Sequence, residues 1–221
     1  MILEPIPAKI LSVKRLYAAH ESVLLAYGAD PKRHTSLGLI TCDQDDSTYV
    51  ALDEATKHAS VDVVFARSFY AGAAHASGRL SGEILGVIAG SDPDDVEEGL
   101  KAVTRCLEFD ACFYTADEQG TVAVFPHVVS SLGHYLSAQA GLRVGDSMAY
   151  LVAPPMEASI ALDAALKAAD VKAAKIFPPP TETNYAAAWL SGELTECQAA
   201  AEAFAYAVVQ VAREPLDGRA W

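Results

Sequence analysis

The apolar positions of residues 161–171 fall on a helical stripe. Leu162, Ala165, Leu166 and Ala169 stand at i, i+3, i+4 and i+7. Leu52, Ala55, Thr56 and Ala59 occupy the same places 110 residues earlier. The match extends beyond the stripe: seven of the eleven positions in 51–61 recur in 161–171. Asp53 with Lys57, and Asp163 with Lys167, stand four apart off the stripe. They predict two exposed intrahelical ion pairs, each stabilising by about 0.3 kcal/mol.

The pattern after each helix also repeats. Ser60–Phe65 and Asp170–Phe177 read as strands, each followed by a loop (68–79, and 178–183) and then a second strand ending in glycine, at Gly90 and Gly192. A further helix follows each glycine. The first carries Asp92 as N-cap, Pro93 in the first turn and acids facing the positive helix end. The second carries a Thr195…Gln198 capping box. Upstream, helices are expected over Leu16–Tyr27 and Val128–Ala140, leading into strands that begin at Ser36 and Ser147. Two domains follow, 1–110 and 111–221, each an α+β unit with helices laid on a mostly antiparallel sheet.

The copies differ in one loop. From strand valine to closing glycine is 29 residues in the first copy (61 to 90) and 21 in the second (171 to 192), so the first holds eight more. A long loop of Gly, Ala and aromatic residues is where function accumulates in a duplicated fold. Its counterpart contains Pro178-Pro-Pro180, which stiffens the backbone before Thr181–Tyr185. One adjustable and one rigid loop suit the rim of a pore.

Composition narrows the function classes. The formal net charge is −13, which disfavours nucleic acid and anionic membrane surfaces as partners. Hydrophobic residues make up 52%, much of it alanine, which suits close helix packing and an oligomer. No apolar run is long enough to span a bilayer, and the first residues lack the pattern of a secretory signal. Cys42, Cys106, Cys112 and Cys197 lack Cys-x-x-Cys spacing and read as reduced thiols of a cytoplasmic protein. The six histidines show no metal-ligand spacing. Asp43, Asp45 and Asp46 offer carboxylates to a divalent cation but lack the glycine and terminal Glu of a calcium loop. No nucleophile motif, Walker loop or dinucleotide fingerprint is present, so no catalytic constellation is expected.

Ala161–Val171 with the following strand, loop, strand, glycine and helix resembles the core of bacterial microcompartment shell domains. The stretches Ser36–Ile40, Asp53–Lys57, Arg67–His75, Gly145–Pro155 and Pro178–Tyr185 are similar to the L-type shell proteins of ethanolamine-utilisation microcompartments. The likeness runs from about residue 14 to 214. It implies a non-enzymatic building block of two tandem, circularly permuted shell domains. Three chains would form a pseudohexagonal tile that packs edge to edge with neighbouring shell proteins, with no nucleic acid or lipid partner. The resemblance implies edge lysines at Lys57 and Lys167. It implies central pore loops at Phe69, Tyr70 and Tyr114, and a small pore holding ethanolamine at Asp45, Glu83, Phe113 and Thr183. It implies no required cofactor, and it raises cobalamin as a further solute to test. Two other readings compete: a soluble module that binds a small amine and signals a partner, motivated by Asp45 and Glu83, and a metal-dependent hydrolase built on Asp43, Asp45 and Asp46.

Overall fold

The structure is a computed structural model that describes residues 4–69, 77–179, 181 and 183–216. Tyr70, the middle of the long loop and two residues of the proline loop lie outside that range. The chain forms two compact units. One is Pro7–Ala111 with Gly133–Gln139; the other is Met1–Ile6, Cys112–Leu132 and Ala140–Trp221. Each unit thus takes in a short segment from the other half of the sequence.

The first unit holds β2 (Ile10–Leu16), α1 (Glu21–Ala26), β3 (Ser36–Cys42), α2 (Asp45–His58), β4 (Val61–Ser68), β5 (Ile84–Gly90) and α3 (Pro93–Phe109). Its sheet has the order β2-β3-β5-β4, with every neighbour antiparallel. Helices α2 and α3 are buried through Leu52, Val96, Leu100 and Val103, beside Ile40 and Ile88 of the sheet. Helix α1 joins Leu24 to a second cluster with Leu37, Val87 and Ala89, supported by Tyr27 and Phe65.

The second unit holds β1 (Glu4–Ile6), β6 (Phe113–Thr115), β7 (Ala123–Val129), β8 (Ser147–Ala153), α5 (Pro155–Ala168), β9 (Lys172–Phe177), β10 (Ala186–Gly192) and α6 (Leu194–Arg213). The sheet order is β1-β6-β7-β8-β10-β9. The run β7-β8-β10-β9 repeats β2-β3-β5-β4, and β6 and β1 extend it. Alanine dominates its helix-side core: Ala149, Ala158, Ala161, Ala165, Ala188, Ala200 and Ala201 let α5 and α6 approach the sheet closely. In the pairing register His127 lies opposite Tyr150, Tyr150 opposite Trp189 and Trp189 opposite Lys175, a transverse row across four strands. The row is held by an edge-on Tyr150–Trp189 contact at 5.3 Å and by the Lys175 ammonium 5.4 Å from the Trp189 ring centre.

The repeated core therefore folds as its pattern predicts, and the upstream segments differ. Instead of one helix from Leu16 to Tyr27, β2 runs to Leu16, which pairs with Leu37, and α1 begins only after His20. The His20 ring accepts from the Ser22 amide and caps the helix. Likewise Ala123–Val129 is a strand against β8, and helix α4 (His134–Ala140) follows Gly133. Pairing in the sheet overrides the helical spacing of these apolar residues. The Asp92 cap is present, accepting from the Asp94 amide at 2.8 Å. The Thr195…Gln198 box is not: α6 starts at Leu194, directly after β10 and Glu193, so Thr195 already lies inside the first turn.

The two predicted ion pairs also part company. Lys167 donates to Asp163 at 2.6 Å on an exposed surface. Lys57 instead pairs with Glu54, and Asp53 is fully buried. Asp53 Oδ2 accepts from the Gly133 amide at 2.7 Å and Oδ1 from the Leu136 amide at 2.8 Å, while Thr56 Oγ1 accepts from the His134 amide at 3.0 Å. Two residues of α2 thereby satisfy three of the orphan N–H groups that open α4. Burial pushes the Asp53 carboxyl above its ordinary range, and the two amide donors oppose that shift. A Cβ on Gly133 would lie 2.3 Å from Thr56 Oγ1 and 2.6 Å from the Asp53 carbonyl oxygen, so only glycine permits this approach.

Asp53→Ala strands two buried amides and is expected to cost about 2–4 kcal/mol. Asp163→Ala, at the equivalent repeat position, is expected to cost about 0.5 kcal/mol or less. Urea unfolding of both variants tests the contrast, and equal losses would contradict it. Cys106 offers a second check, because burial pushes its thiol up to about 12. It should resist iodoacetamide at pH 8 in the folded chain and react once the chain is unfolded in denaturant; alkylation at the rate of a free thiol would contradict its burial.

Candidate functional site

The long loop leaves β4 and returns to β5 at the Cys42 end of β3. Three bonds fix its stems. Phe69 N donates to Glu83 O at 2.6 Å, Glu83 N donates to Cys42 O at 2.7 Å, and Thr41 Oγ1 donates to Leu80 O at 2.6 Å. Gly82 makes the turn with φ +62°, and a Cβ there would stand 2.2 Å from Cys42 O. A side chain at this position is excluded both by the left-handed backbone and by the close approach.

Asp45 belongs to the same end of the sheet. It follows β3 by three residues, opens α2 and is buried, with Oδ1 accepting from the Asp46 amide at 2.9 Å. The structure thus brings Asp45 and half-buried Glu83 to one strand end. Asp43 is engaged elsewhere, accepting from the Lys9 amide at 2.7 Å. Among the described residues no three His, Cys, Asp or Glu side chains converge to hold a metal ion.

Phe113 and Thr183 belong to the second unit. Phe113 sits on β6, stacked at a tilt on Phe125 at 4.8 Å and edge-on to Tyr185 at 6.3 Å. Thr183 lies in the turn that Thr181 closes by donating from its N and Oγ1 to Tyr185 O, with Asn184 at φ +62°. Tyr114, expected in a loop, is the middle residue of β6 and pairs with Pro5 and Val124. Phe69 is the first residue after β4 and is 41% exposed.

The two edge lysines occupy the same helix position in unlike surroundings. The Lys167 side chain is 74% exposed and that of Lys57 22%. Burial raises the Glu54 carboxyl, but Lys57 and His58 together outweigh it and hold the group below its ordinary value. The stem latches, β1, β6 and the buried role of Asp53 were not foreseen. Gly82 beside Glu83 was the one sequence signal available for the latch.

The known proteins most informative for this geometry agree with one another. A family model described as BMC domain matches residues 36–116. The bacterial microcompartment shell protein EutL of Clostridium perfringens (strain 13 / Type A) is 51% identical over 207 residues, covering 94% of this chain and 95% of its own. The crystal structure of ethanolamine utilization protein EutL from Leptotrichia buccalis superposes with a TM-score of 0.94 at 44% identity, covering 98% of this chain and 100% of that one. The trimeric bacterial microcompartment shell protein PduB shares the fold at a TM-score of 0.73 and 16% identity, with 94% and 89% covered.

This chain belongs to the bacterial microcompartment shell proteins, with two shell domains in tandem. It is a structural protein of a microcompartment shell, and EutL proteins are among the relatives it matches along nearly their whole length.

Gly82→Ala is expected to break the Glu83–Cys42 bond and lower stability by about 2–4 kcal/mol, with backbone strain and a lost buried hydrogen bond adding. Gly78→Ala, where a Cβ meets nothing within 4 Å, should be nearly silent. Thermal unfolding of the two variants checks this; similar midpoints would contradict the latch.

Proposed function

We propose that three copies of this chain form a pseudohexagonal tile in the cytoplasmic shell of an ethanolamine-utilising microcompartment, and that small pores in the tile admit ethanolamine. The observation that carries the reading is identity of about half the positions with EutL over 94% of the chain. Two units per chain make three chains a ring of six, which suits hexagonal packing. The tile meets neighbouring shell proteins at edges bearing Lys57 and Lys167. Phe69, Tyr70 and Tyr114 flank the central opening.

The chemistry for ethanolamine begins at Asp45 and Glu83. An ammonium group needs carboxylate acceptors, and two at one strand end supply them without a metal. A partly desolvated carboxylate holds a small cation more firmly than one in bulk water. A hydroxyl such as that of Thr183 suits the alcohol, and an aromatic edge such as Phe113 excludes water. Those two residues belong to the other unit, so their contribution is measured separately. No cofactor is assigned, and cobalamin remains a solute to be assayed alongside ethanolamine.

Two measurements test the reading. Lys57→Glu with Lys167→Glu should leave a folded trimer by sedimentation but abolish flat sheets in electron micrographs; sheets unchanged by both reversals would remove the edge assignment. Asp45→Asn with Glu83→Gln should weaken ethanolamine binding by about tenfold or more in calorimetry, the loss expected for charge-assisted hydrogen bonds. Phe113→Ala and Thr183→Ala should each weaken it less. Equal affinity in the carboxylate variant would remove the amine site while leaving the shell role standing.

A further inference from the structure

A cavity of about 550 Å³ opens in the first unit among the C-terminus of α2, the start of β4, the end of β5 and the first residue of α4. Arg33, His34, Ser60, Asp62, Ser91 and His134 line it. It lies at the end of β4 opposite the long loop, and none of the residues discussed for ethanolamine belongs to it.

Its charge sets it apart. The protein as a whole is acidic, at a formal −13. A second cavity of the same unit is lined by Glu54, Glu98 and Asp110 against Lys101, Arg105 and His58. One in the other unit is lined by Glu4, Asp117 and Glu118 against Arg213 alone. Here one carboxylate, Asp62, meets one arginine and two histidines.

That carboxylate is held in place. Asp62 Oδ2 accepts from Arg33 Nη2 at 2.9 Å and lies 3.0 Å from His34 Nε2. His34 Nδ1 accepts from the Asp30 amide at 3.1 Å, which leaves the ring proton on Nε2 to be donated to Asp62. His34 is 6% exposed, so the contact is built into the fold. Asp62 offsets the Arg33 charge and fixes the direction of its fork. The Arg33 bond to Asp62 uses Nη2 alone, and the other N–H groups of its guanidinium face no described acceptor. Ser60, Ser91 and the His134 imidazole make no side-chain hydrogen bond to another described residue. These four side chains present donors to one cavity of ligand size.

We propose that this cavity binds a small oxyanion, the carboxylate or phosphate group of a metabolite. Arg33 supplies the charge and the planar fork suited to two oxygens, and Ser60, Ser91 and His134 complete the donor set. His34 and Asp62 are positioning residues that act through Arg33. The donor set fits an anion better than a metal ion, because the histidines and Asp62 do not converge as ligands.

The test uses the full-length chain at pH 7 and constant ionic strength, titrated with sodium phosphate, sodium acetate and sodium chloride. The histidine ring and backbone amide resonances are followed by nuclear magnetic resonance. Phosphate or acetate should shift the His134 ring and the Ser60 and Ser91 amides saturably, and chloride should not. The stronger of the two oxyanions identifies the group. Arg33→Ala should weaken binding about tenfold or more, with Arg33→Lys intermediate because it keeps the charge and loses the fork. The Arg33 side chain is 66% exposed, so both variants should fold, which circular dichroism verifies. Shifts equal for chloride and the oxyanions, or affinity unchanged in Arg33→Ala, would overturn the proposal.

Discussion

The buried carboxylate of Asp53 is the contact on which the organisation of the chain depends. Its two oxygens receive the Gly133 and Leu136 amides, and through them a segment from the second half of the sequence becomes part of the first unit. Such a contact tolerates little change. The two donors open a helix, where an N–H has no intrahelical acceptor, and Gly133 is the residue that lets the helices come so close. Tyr135 records the same enclosure, since burial beside Asp53 pushes its phenol up to about 12.

The duplicated helix then has two fates from nearly one sequence. Asp53 and Asp163 hold equivalent positions, but the first is fully buried and the second has a side chain 65% exposed. Their lysines differ accordingly. Lys57 turns to Glu54, a residue replaced by Ala164 in the second copy, and Lys167 keeps the pairing with Asp163. Identical local pattern thus leaves the surroundings to decide which role each residue takes. In a shell protein, that asymmetry lets one domain present a different surface from its twin.

The sequence was most legible where local and long-range preferences agree. The repeated helix–strand–strand–helix core, the Asp92 cap and the glycine ends of β5 and β10 all follow from spacing and capping chemistry. It was least legible where pairing across the sheet overrides local pattern. Val128 and Val129 fit a helical stripe, yet lie in β7 opposite Ala149 and Met148. Tyr114 was expected in a loop, yet β6 takes it between β1 and β7; β1 and β6 are three residues each, too short to announce themselves. Of the candidate site, Asp45 and Glu83 share a strand end because β3 and β5 are neighbours, and it was the family resemblance, not the local pattern, that grouped them. The burial of Asp53 had no local signal, because its partners lie some 80 residues away, as the 80-residue separation of Asp53 and Gly133 makes plain.

The latch at the stems of the long loop has a consequence for how this fold can vary. Phe69 and Glu83 are joined across the base, Glu83 is joined to Cys42, and Thr41 holds Leu80. Whatever lies between residues 69 and 83 must leave and re-enter the sheet at one fixed spacing. The base therefore acts as a socket: the intervening segment can be lengthened, shortened or exchanged while the sheet behind it sees the same two ends. The two copies differ in length by eight residues at this place. The fold gives natural variation, and protein engineering, a replaceable cassette.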